Sequence, residues 1–404
     1  AMTTRREILK TMGAASALAL WDAPFRFAFA KVATERRFVF VILRGALDGL
    51  AAVPPYGDPD YASVRGPLAF ESANGTGLHD LDGFFALNPA FANLKAMYDA
   101  KEAALFHNIC SPYRNRSHFE GQNCLETGGS APHLINDGWL NRALLPMGLG
   151  RRDDAVAIEP SPPLLLTGPA KVASWMPPVM PEPETAFLEK VRALYADDPA
   201  LKSSLEGALN MQSEAETASD DPGMRNPKLK ASYGDLTPLF RGAGKLLAAA
   251  DGPRVAVLDA SGWDTHVNEG AADGALTRRL QALDRGLETL KEALGPQWSK
   301  TAVVMATEFG RTAHPNGNGG TDHGTGGAAF LLGGAVAGGR VVAEWVGLKP
   351  SALKDGRDQP ARTDLRALFK GVLADHLGVG RAALESSVFP DSGGVAPMKG
   401  LIRA

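Results

Sequence analysis

The amino-acid sequence predicts an α/β protein with a mostly parallel central sheet and helices on both faces. The first observation is a set of short, continuous apolar runs rich in β-branched residues, which is typical of strands buried on both faces. The second is that helical patterns lie between several of these runs, as they do in βαβ units. The third is the length of 404 residues, which is enough for one large domain or two medium ones.

Five apolar runs are predicted to be strands of this sheet. They are residues 37–44, 103–106, 255–258, 301–305 and 328–332. The clearest helix is predicted over about 272–294, where leucines recur at spacings of four and three and form one apolar stripe. Another helix is predicted over 363–376, with its apolar residues on one side.

Composition excludes several classes of protein. The 45 glycines and 28 prolines have no fixed period, which excludes collagen and indicates many turns and loops. The formal net charge is -3, and no basic run with interleaved aromatic residues occurs, so we expect no nucleic-acid partner. Cys110 and Cys124 are too few for a cysteine-rich zinc site, so any metal would be held by histidines and carboxylates. The two cysteines could form a disulfide outside the cytoplasm or remain buried thiols.

Residues 1–30 are predicted to be a twin-arginine signal peptide. Arg5-Arg6 precedes a short, weakly apolar run and then a small-residue cleavage site at 28–30. The apolar run is much shorter than the roughly 20 residues that span a bilayer, so we expect no stable membrane span after cleavage. The alternative is an N-terminal amphipathic helix that stays in place. The sequence therefore predicts recognition by the twin-arginine export machinery and a periplasmic or otherwise exported protein.

Residues 31–404 are predicted to form a single α/β domain, with 151–235 as an insertion or cap. Prolines crowd residues 160–183, and polar helical sequence follows. The segment has no concentration of histidines, so we expect it to shape access to a site rather than to supply the chemistry.

Polar residues with catalytic or metal-binding chemistry lie next to the predicted strands. Because the carboxyl ends of parallel strands meet at one edge of a sheet, these side chains could gather there. They are Asp48, His107, Arg114, Arg116, Ser117, His118, Asp259, Asp264, His266, Glu308, Arg311, Asp322 and His323. Such a mixture of carboxylates and imidazoles suits a divalent cation such as zinc, manganese, magnesium or calcium, and it does not choose among them.

Several of these residues also have a purely structural interpretation. Asp48 before a glycine could make a turn, and Asp264 could cap a helix with His266 as a surface neighbour. Ser117 and Glu120 fit the capping-box pattern. A serine at a helix N-terminus also lies where a bound phosphate or sulfate is favoured, and a nearby metal can activate its oxygen.

Several blocks of sequence, taken in order, point to one bacterial family. The blocks are residues 38–50, 112–119, 262–266, 307–312, 321–324, 356–358 and 363–366. They resemble the signatures of the family called domain of unknown function 1501, which is considered a branch of the alkaline phosphatase and sulfatase superfamily. The resemblance implies an alkaline phosphatase-like fold. It also implies a metal site at the sheet edge, with a Ser, Thr or formylglycine nucleophile that attacks a phosphate or sulfate ester.

The resemblance implies a role for each matching residue. The implied nucleophile is Ser117, and the implied metal ligands are Asp48, Asp264, His266, Glu308, Asp322 and His323, with Asp259 as a competing choice. Superfamily members have an Asp-His pair where this chain has Glu308-Phe309, and Phe309 cannot bind a metal. We expect one or two divalent ions, and the Phe309 position leaves a different ion or no ion as the alternatives.

The leading hypothesis is an exported, metal-dependent hydrolase that acts on a small anionic phosphate or sulfate ester. Three arginines, Arg114, Arg116 and Arg311, would clamp the ester oxygens, and His118 would be the general acid. One alternative is a non-catalytic envelope protein that binds or assembles other components and retains the fold with a degenerate metal site. The other is a sulfatase that converts Cys110, within Cys110-Ser-Pro-Tyr-Arg, to formylglycine.

Overall fold

The computed structural model describes residues 34–70, 77–177, 185–217 and 235–403. Residues 34–404 belong to one compact unit. The predicted signal peptide lies outside the described residues. Among the helices that are described, none is both long enough and apolar enough to cross a bilayer.

Eleven strands occur in the described part of the chain. They are β1 (Arg37–Arg44), β2 (His79–Asp80), β3 (Ala86–Leu87), β4 (Ala103–Cys110), β5 (Ala155–Ala157), β6 (Ala173–Ser174), β7 (Val255–Ser261), β8 (Thr301–Ala306), β9 (Gly327–Leu332), β10 (Arg340–Ala343) and β11 (Thr363–Asp364). β2 pairs with β3, and the other nine form one sheet in the order β10-β4-β9-β8-β1-β7-β5-β6, with β11 beside β4. Only the pairings of β9 with β4 and with β8 are antiparallel in this sheet. The predicted mostly parallel α/β fold is confirmed.

The helices of the described residues cover both faces of this sheet. They are α1 (Gly49–Ala52), α2 (Tyr61–Arg65), α3 (Ala92–Asp99), α4 (His118–Thr127), α5 (Trp139–Leu144), α6 (Thr185–Leu194), α7 (Pro199–Thr217), α8 (Thr237–Ala248), α9 (Ala275–Leu294), α10 (Leu365–Asp375) and α11 (Arg381–Ala383). The two predicted helices are observed as α9 and α10.

Strand β1 shows how the two cores are divided, because successive side chains of a strand point to opposite faces. Val39 and Val41 pack with the leucine stripe of α9. Phe38 and Phe40 pack with α5 and α10, where the Phe40 ring lies 5.4 Å from that of Trp139. Helices therefore bury both faces of the central strand, which explains why its sequence is continuously apolar.

The sheet adds detail to two predictions about chain organisation. The predicted insertion or cap 151–235 contains β5 and β6, which extend the sheet beyond β7. Buried Ala155, Val156 and Ala157 pair with the outer side of β7, so this part of the segment belongs to the sheet. Residues 185–217 form α6 and α7, and the role of a cap stays a prediction for them. Strand β4 runs on to Cys110, so His107 lies inside the strand and not after it.

Parallel pairing brings the carboxyl ends of β1, β7 and β8 to one edge. Because β9 is antiparallel to both β8 and β4, it begins at this edge and β4 ends there. Two glycines permit the close packing at this edge. Gly45 has a φ of +118°, and a Cβ there would lie 2.7 Å from the Asp264 backbone nitrogen. In α4, a Cβ on Gly121 would lie 2.9 Å from the Phe309 ring. The helix can thus approach the end of β8 more closely than any larger residue would allow.

We expect Gly121→Ala to destabilise the fold by about 1–3 kcal/mol, because the added methyl group overpacks the contact with Phe309. The matched control is Gly207→Ala in α7, where nothing lies within 4 Å of the added Cβ. There the better helix propensity of alanine is expected to be neutral or to stabilise by up to about 1 kcal/mol. Urea unfolding of both variants measures the difference, and equal effects would contradict this account of Gly121.

Candidate metal centre

Three imidazole rings meet at the sheet edge with their Nε2 atoms facing one another. His118 is the first residue of α4, His266 follows β7, and His323 precedes β9. The Nε2 atom of His323 lies 2.9 Å from that of His118 and 3.0 Å from that of His266. Asp264 lies beside them, with its Oδ1 atom 3.0 Å from His266 Nε2 and 3.2 Å from His323 Nε2.

The outer nitrogen of each ring is tied to an oxygen atom. His118 Nδ1 lies 2.7 Å from Glu308 Oε1, and His266 Nδ1 lies 3.2 Å from Asp322 Oδ1. His323 Nδ1 lies 2.9 Å from the Arg116 carbonyl oxygen. A neutral imidazole has one N–H group, so donation from Nδ1 leaves a lone pair on Nε2.

The three Nε2 atoms cannot all satisfy one another by hydrogen bonding when each carries a lone pair. They can share a cation. An oxygen partner on the outer nitrogen is the usual means by which proteins orient metal-binding histidines. The residues present therefore fit a divalent metal, with imidazole nitrogens and a carboxylate as donors. His266 Nε2 lies 3.0 Å from His323 Nε2 and is a further candidate donor. His118, Asp264 and His323 each offer a ligand atom within 4.8 Å of the others.

Glu308 is fully buried and lies behind His118. Its Oε1 atom accepts hydrogen bonds from the Gly45 N–H at 2.9 Å and from Gln122 Nε2 at 3.1 Å, besides the contact with His118. Burial opposes the ionisation of Glu308, but these hydrogen bonds hold its pKa below the usual range. The hydrogen bond between His118 and Glu308 also raises the pKa of His118. The structure thus places Glu308 against the outer nitrogen of His118. A direct metal contact by Glu308 stays a prediction.

Phe309 forms the apolar floor beneath two of the histidines. Its buried ring lies 5.0 Å from the His118 ring and 5.4 Å from the His323 ring, measured between centroids. Phe309, which stands where the resemblance leads us to expect a metal-binding histidine, therefore packs against the candidate ligands.

Arg311 is buried beside the cluster and is occupied by partners within the protein. It donates to Asp264 Oδ1 through Nη1, and its Nε donates to Thr321 Oγ1 at 3.0 Å. Burial raises the pKa of Asp264, but Arg311 more than offsets this effect and keeps the pKa below its usual range. The guanidinium that was predicted to clamp substrate thus neutralises the carboxylate of the cluster.

The other two predicted clamps also contact the protein itself. Arg116 donates to Asp358 Oδ2 from Nε at 2.9 Å and from Nη2 at 2.5 Å. Its φ of +65° lies in the left-handed region, which is uncommon for a residue other than glycine. Its carbonyl is the acceptor for His323. Arg114 donates to the backbone carbonyls of Ser111 and Tyr113.

Ser117 is the N-cap residue of α4, but its side chain makes no capping hydrogen bond. The predicted capping box is therefore wrong. Its partner Glu120 instead accepts a hydrogen bond from the Tyr113 hydroxyl at 2.5 Å, and the Ser117 N–H donates to that hydroxyl at 3.1 Å. Ser117 directly precedes His118 in the chain, and its hydroxyl does not cap the helix.

Asp48 and Asp259 are held by arginines. Asp48 caps α1, accepting from the Leu50 N–H at 2.8 Å, and its other oxygen pairs with buried Arg65 at 2.7 Å. The alternative of a structural Asp48 matches these contacts. Asp259 forms an ion pair with Arg44. Metal binding by Asp48 or by Asp259 stays a prediction.

Both cysteines are buried free thiols in the structure. Burial raises the pKa of the Cys110 thiol to about 11. Its Sγ atom lies 3.6 Å from the Glu308 carbonyl oxygen, behind the imidazole cluster.

Sequence reasoning named His118 as a general acid, whereas its Nε2 atom belongs to the cluster. It also missed the Arg116 carbonyl, since a backbone group leaves no mark in sequence. Gln122 was missed as well, although its place one helical turn after His118 could have indicated a shared partner.

These observations define the class of the protein, which is an α/β fold with a candidate His/Asp metal centre. The sequence model of a family described as "Protein of unknown function (DUF1501)" matches residues 100–386. The chain belongs to this family, as its sequence blocks predicted. No protein with a curated description matches the chain.

Several solved structures are similar to the chain at low identity. A phosphonate monoester hydrolase of Agrobacterium radiobacter is 14% identical with a TM-score of 0.34, covering 85% of this chain and 74% of that one. The C-terminal periplasmic domain of EcEptC from Escherichia coli, in complex with Zn, is 8% identical with a TM-score of 0.41, covering 89% and 87%. The PsFucS1 sulfatase from Pseudoalteromonas sp. is 15% identical with a TM-score of 0.35, covering 91% and 74%. Since each TM-score lies below 0.5, we take no ligand or activity from these proteins.

The burial of His107 inside β4 generates a prediction about acid stability. Its Nε2 contacts the Gly49 carbonyl oxygen at 3.2 Å, and burial lowers its pKa to about 4. The unfolded chain therefore binds a proton near pH 6.5 that the folded chain refuses until about pH 4, so this stability is lost as the pH falls. We expect His107 to contribute a loss of about 2 kcal/mol between pH 7 and pH 4.5. Urea unfolding at both pH values should show a smaller loss for His107→Gln than for the wild type, and equal losses would contradict the assignment.

Proposed function

We propose that the chain is a metal-dependent hydrolase of phosphate or sulfate esters, with His118, His266, His323 and Asp264 as ligands of one divalent cation. The observation that carries this proposal is the convergence of three Nε2 atoms whose outer nitrogens are each tied to oxygen. Zinc accepts such a mixture of imidazole and carboxylate, and manganese is the next choice. When bound, the cation would supply Lewis-acid polarisation of an ester oxygen.

The proposal changes the roles of three predicted ligands. Glu308 and Asp322 act as positioning residues, each holding the outer nitrogen of one histidine. Asp48 acts in the fold, because both of its carboxylate oxygens are engaged by backbone N–H groups or by Arg65.

Ser117 is the proposed nucleophile. Its hydroxyl lies at the N-terminus of a ten-residue helix, where the helix dipole favours an anionic ester group. The Ser117 oxygen bonds to phosphorus or sulfur, the ester alcohol leaves with the hydroxyl proton, and water then releases the phosphate or sulfate. A small anionic ester is the proposed substrate, and no nucleic-acid partner is proposed.

Recognition of the anion depends little on the three predicted arginine clamps, because all of them contact other protein groups. Arg357 is an additional candidate. Its side chain is 43% exposed, and its Nη2 donates to the His323 carbonyl oxygen at 2.6 Å. This guanidinium lies beside the cluster with solvent-accessible surface left for a ligand.

The engagement of those arginines favours a second candidate, a non-catalytic protein that binds the metal for structural reasons. The burial of Cys110 gives the formylglycine alternative no comparable support. Twin-arginine export to the periplasm remains part of the proposal on the basis of residues 1–30.

The metal centre predicts tight zinc binding. After dialysis against a chelator, we expect the wild type to take up one equivalent of zinc in a calorimetric titration. His323→Ala should lower the affinity by roughly a hundredfold or more, because it removes the nitrogen shared by the other two imidazoles. The control is His133→Ala on an exposed loop, which should bind zinc like the wild type. Wild-type protein that takes up neither zinc nor manganese would contradict the proposal.

The nucleophile is tested separately from the metal. We expect Ser117→Ala to lower kcat on 4-nitrophenyl phosphate or sulfate by roughly a thousandfold, with unchanged zinc affinity, since only the attacking oxygen is lost. Ser63→Ala, at an exposed position, is the control. Zinc-loaded wild type without activity on either ester would favour the non-catalytic candidate, and full activity in Ser117→Ala would remove Ser117 from the mechanism.

A further inference from the structure

A buried carboxyl group lies beneath the loops that carry the candidate ligands. Glu269 is fully buried, and its Oε2 atom accepts from Thr265 Oγ1 at 2.9 Å and from Thr321 Oγ1 at 2.7 Å. Thr265 lies between Asp264 and His266, and Thr321 lies two residues before His323. One carboxyl oxygen therefore joins two segments that are about 55 residues apart in sequence.

The hydrogen bond between Thr321 and Glu269 is linked to the imidazole cluster through Arg311. Thr321 Oγ1 donates to Glu269 and accepts from Arg311 Nε at 3.0 Å, while Arg311 Nη1 donates to Asp264. A continuous chain of hydrogen bonds thus runs from Glu269 to a candidate ligand. Among the described residues, no hydrogen bond joins Glu269 directly to His118, His266, His323 or Asp264.

The charges around Glu269 explain why it can accept both hydroxyls while deeply buried. Arg65 is shared by two carboxyl groups, at 2.7 Å from Asp48 Oδ2 and 3.6 Å from Glu269 Oε1. Burial and Asp48 raise the pKa of Glu269 to about 8. The Oε1 atom of Glu269 has no hydrogen-bond partner among the described residues, so the Oε2 atom carries both of the side-chain hydrogen bonds.

The other ionisable groups that interact with Asp48 or Arg65 are Arg311, Tyr61 and His107. Tyr61 and His107 are neutral at pH 7, because their pKa values are about 12 and about 4. Arg311 is directed at Asp264. Arg65 is therefore the cation that contacts both Asp48 and Glu269 among the described residues.

We propose that Glu269 is a positioning residue of the metal centre, joining the loop of Asp264 and His266 to the loop of His323 through the two threonine hydroxyls. This inference rests on the proposed metal site. The two loops also share backbone contacts, such as the Thr321 N–H donating to the Thr265 carbonyl at 3.1 Å. The side-chain bridge adds to these contacts and limits how far the ligands can separate when no cation holds them together.

The test compares Glu269→Gln with Glu269→Ala in the full chain. The amide oxygen of glutamine can accept both hydroxyls, as Oε2 of Glu269 does, so we expect zinc affinity within about threefold of the wild type. Alanine removes the bridge, and we expect zinc affinity to fall by roughly 10–100-fold. Zinc competition titrations well below the unfolding midpoint measure the affinity, and thermal unfolding of the metal-free proteins measures stability.

The matched control is Asp284→Ala, another buried carboxyl group. Asp284 accepts from the Asn93 and Leu94 N–H groups at the start of α3 and has no contact with the ligand loops. We expect it to lower the unfolding midpoint without changing zinc affinity. An equal loss of affinity in Asp284→Ala would overturn the proposal, because general destabilisation would then explain the effect.

If Glu269→Ala does not fold, Thr321→Val removes one arm of the bridge and should lower zinc affinity several-fold. Wild-type affinity in both Glu269→Ala and Thr321→Val would overturn the positioning role. A Glu269→Gln variant that binds zinc as weakly as Glu269→Ala would overturn the proposal, because the amide oxygen would still be available to both hydroxyls. Zinc binding by the wild type is measured in the same series, so failure of the metal centre itself is seen separately from failure of the Glu269 assignment.

Discussion

The rest of the site depends on the hydrogen bonds that the buried Glu308 carboxylate accepts. It is buried at the end of β8, and it accepts from the Gly45 N–H after β1, from Gln122 in α4 and from His118 at the start of α4. A buried carboxylate is costly unless such donors surround it. The same hydrogen bonds that keep Glu308 ionised therefore fix where α4 begins relative to β1 and β8. The position of His118 Nε2, and so its closeness to His323, follows from that arrangement.

Most of the fold and the location of the site could be predicted from the sequence, because both depend on local sequence patterns. Apolar runs predicted the central strands. Parallel pairing brings Asp264 and His266 to the edge where β1, β7 and β8 end, and antiparallel β9, which follows His323, begins at that edge. β5 and β6 left no comparable signal, since strands of three and two residues are too short to show a period. Their proline-rich surroundings pointed instead to an insertion.

The division of the polar residues into ligands and supports could not be obtained from sequence. Whether His118 or Glu308 faces the cluster depends on which ring nitrogen of His118 contacts Glu308. Hydrogen bonds from Gln122 and Gly45, which are distant from Glu308 in sequence, hold the Glu308 carboxylate in place for that contact. The role of Phe309 could not be predicted either. In the sequence it stands in place of an expected metal ligand, whereas in the structure its ring forms the apolar floor beneath His118 and His323. Arg116 contributes its carbonyl to His323, and only its left-handed backbone reveals that role.

The electrostatics of the site couple the metal to an anionic substrate. Asp264, Glu308 and Asp322 each have a pKa held below the usual range, so all three are ionised at neutral pH. Arg311 offsets one of these charges. Glu308 and Asp322 remain as negative charges at the outer nitrogens of His118 and His266, and they repel a phosphate or sulfate ester. A divalent cation offsets both, after which the N-terminus of α4 and Arg357 leave the surroundings favourable to an anion. In this arrangement the chain's own carboxylates would make ester binding depend on prior occupancy of the metal centre.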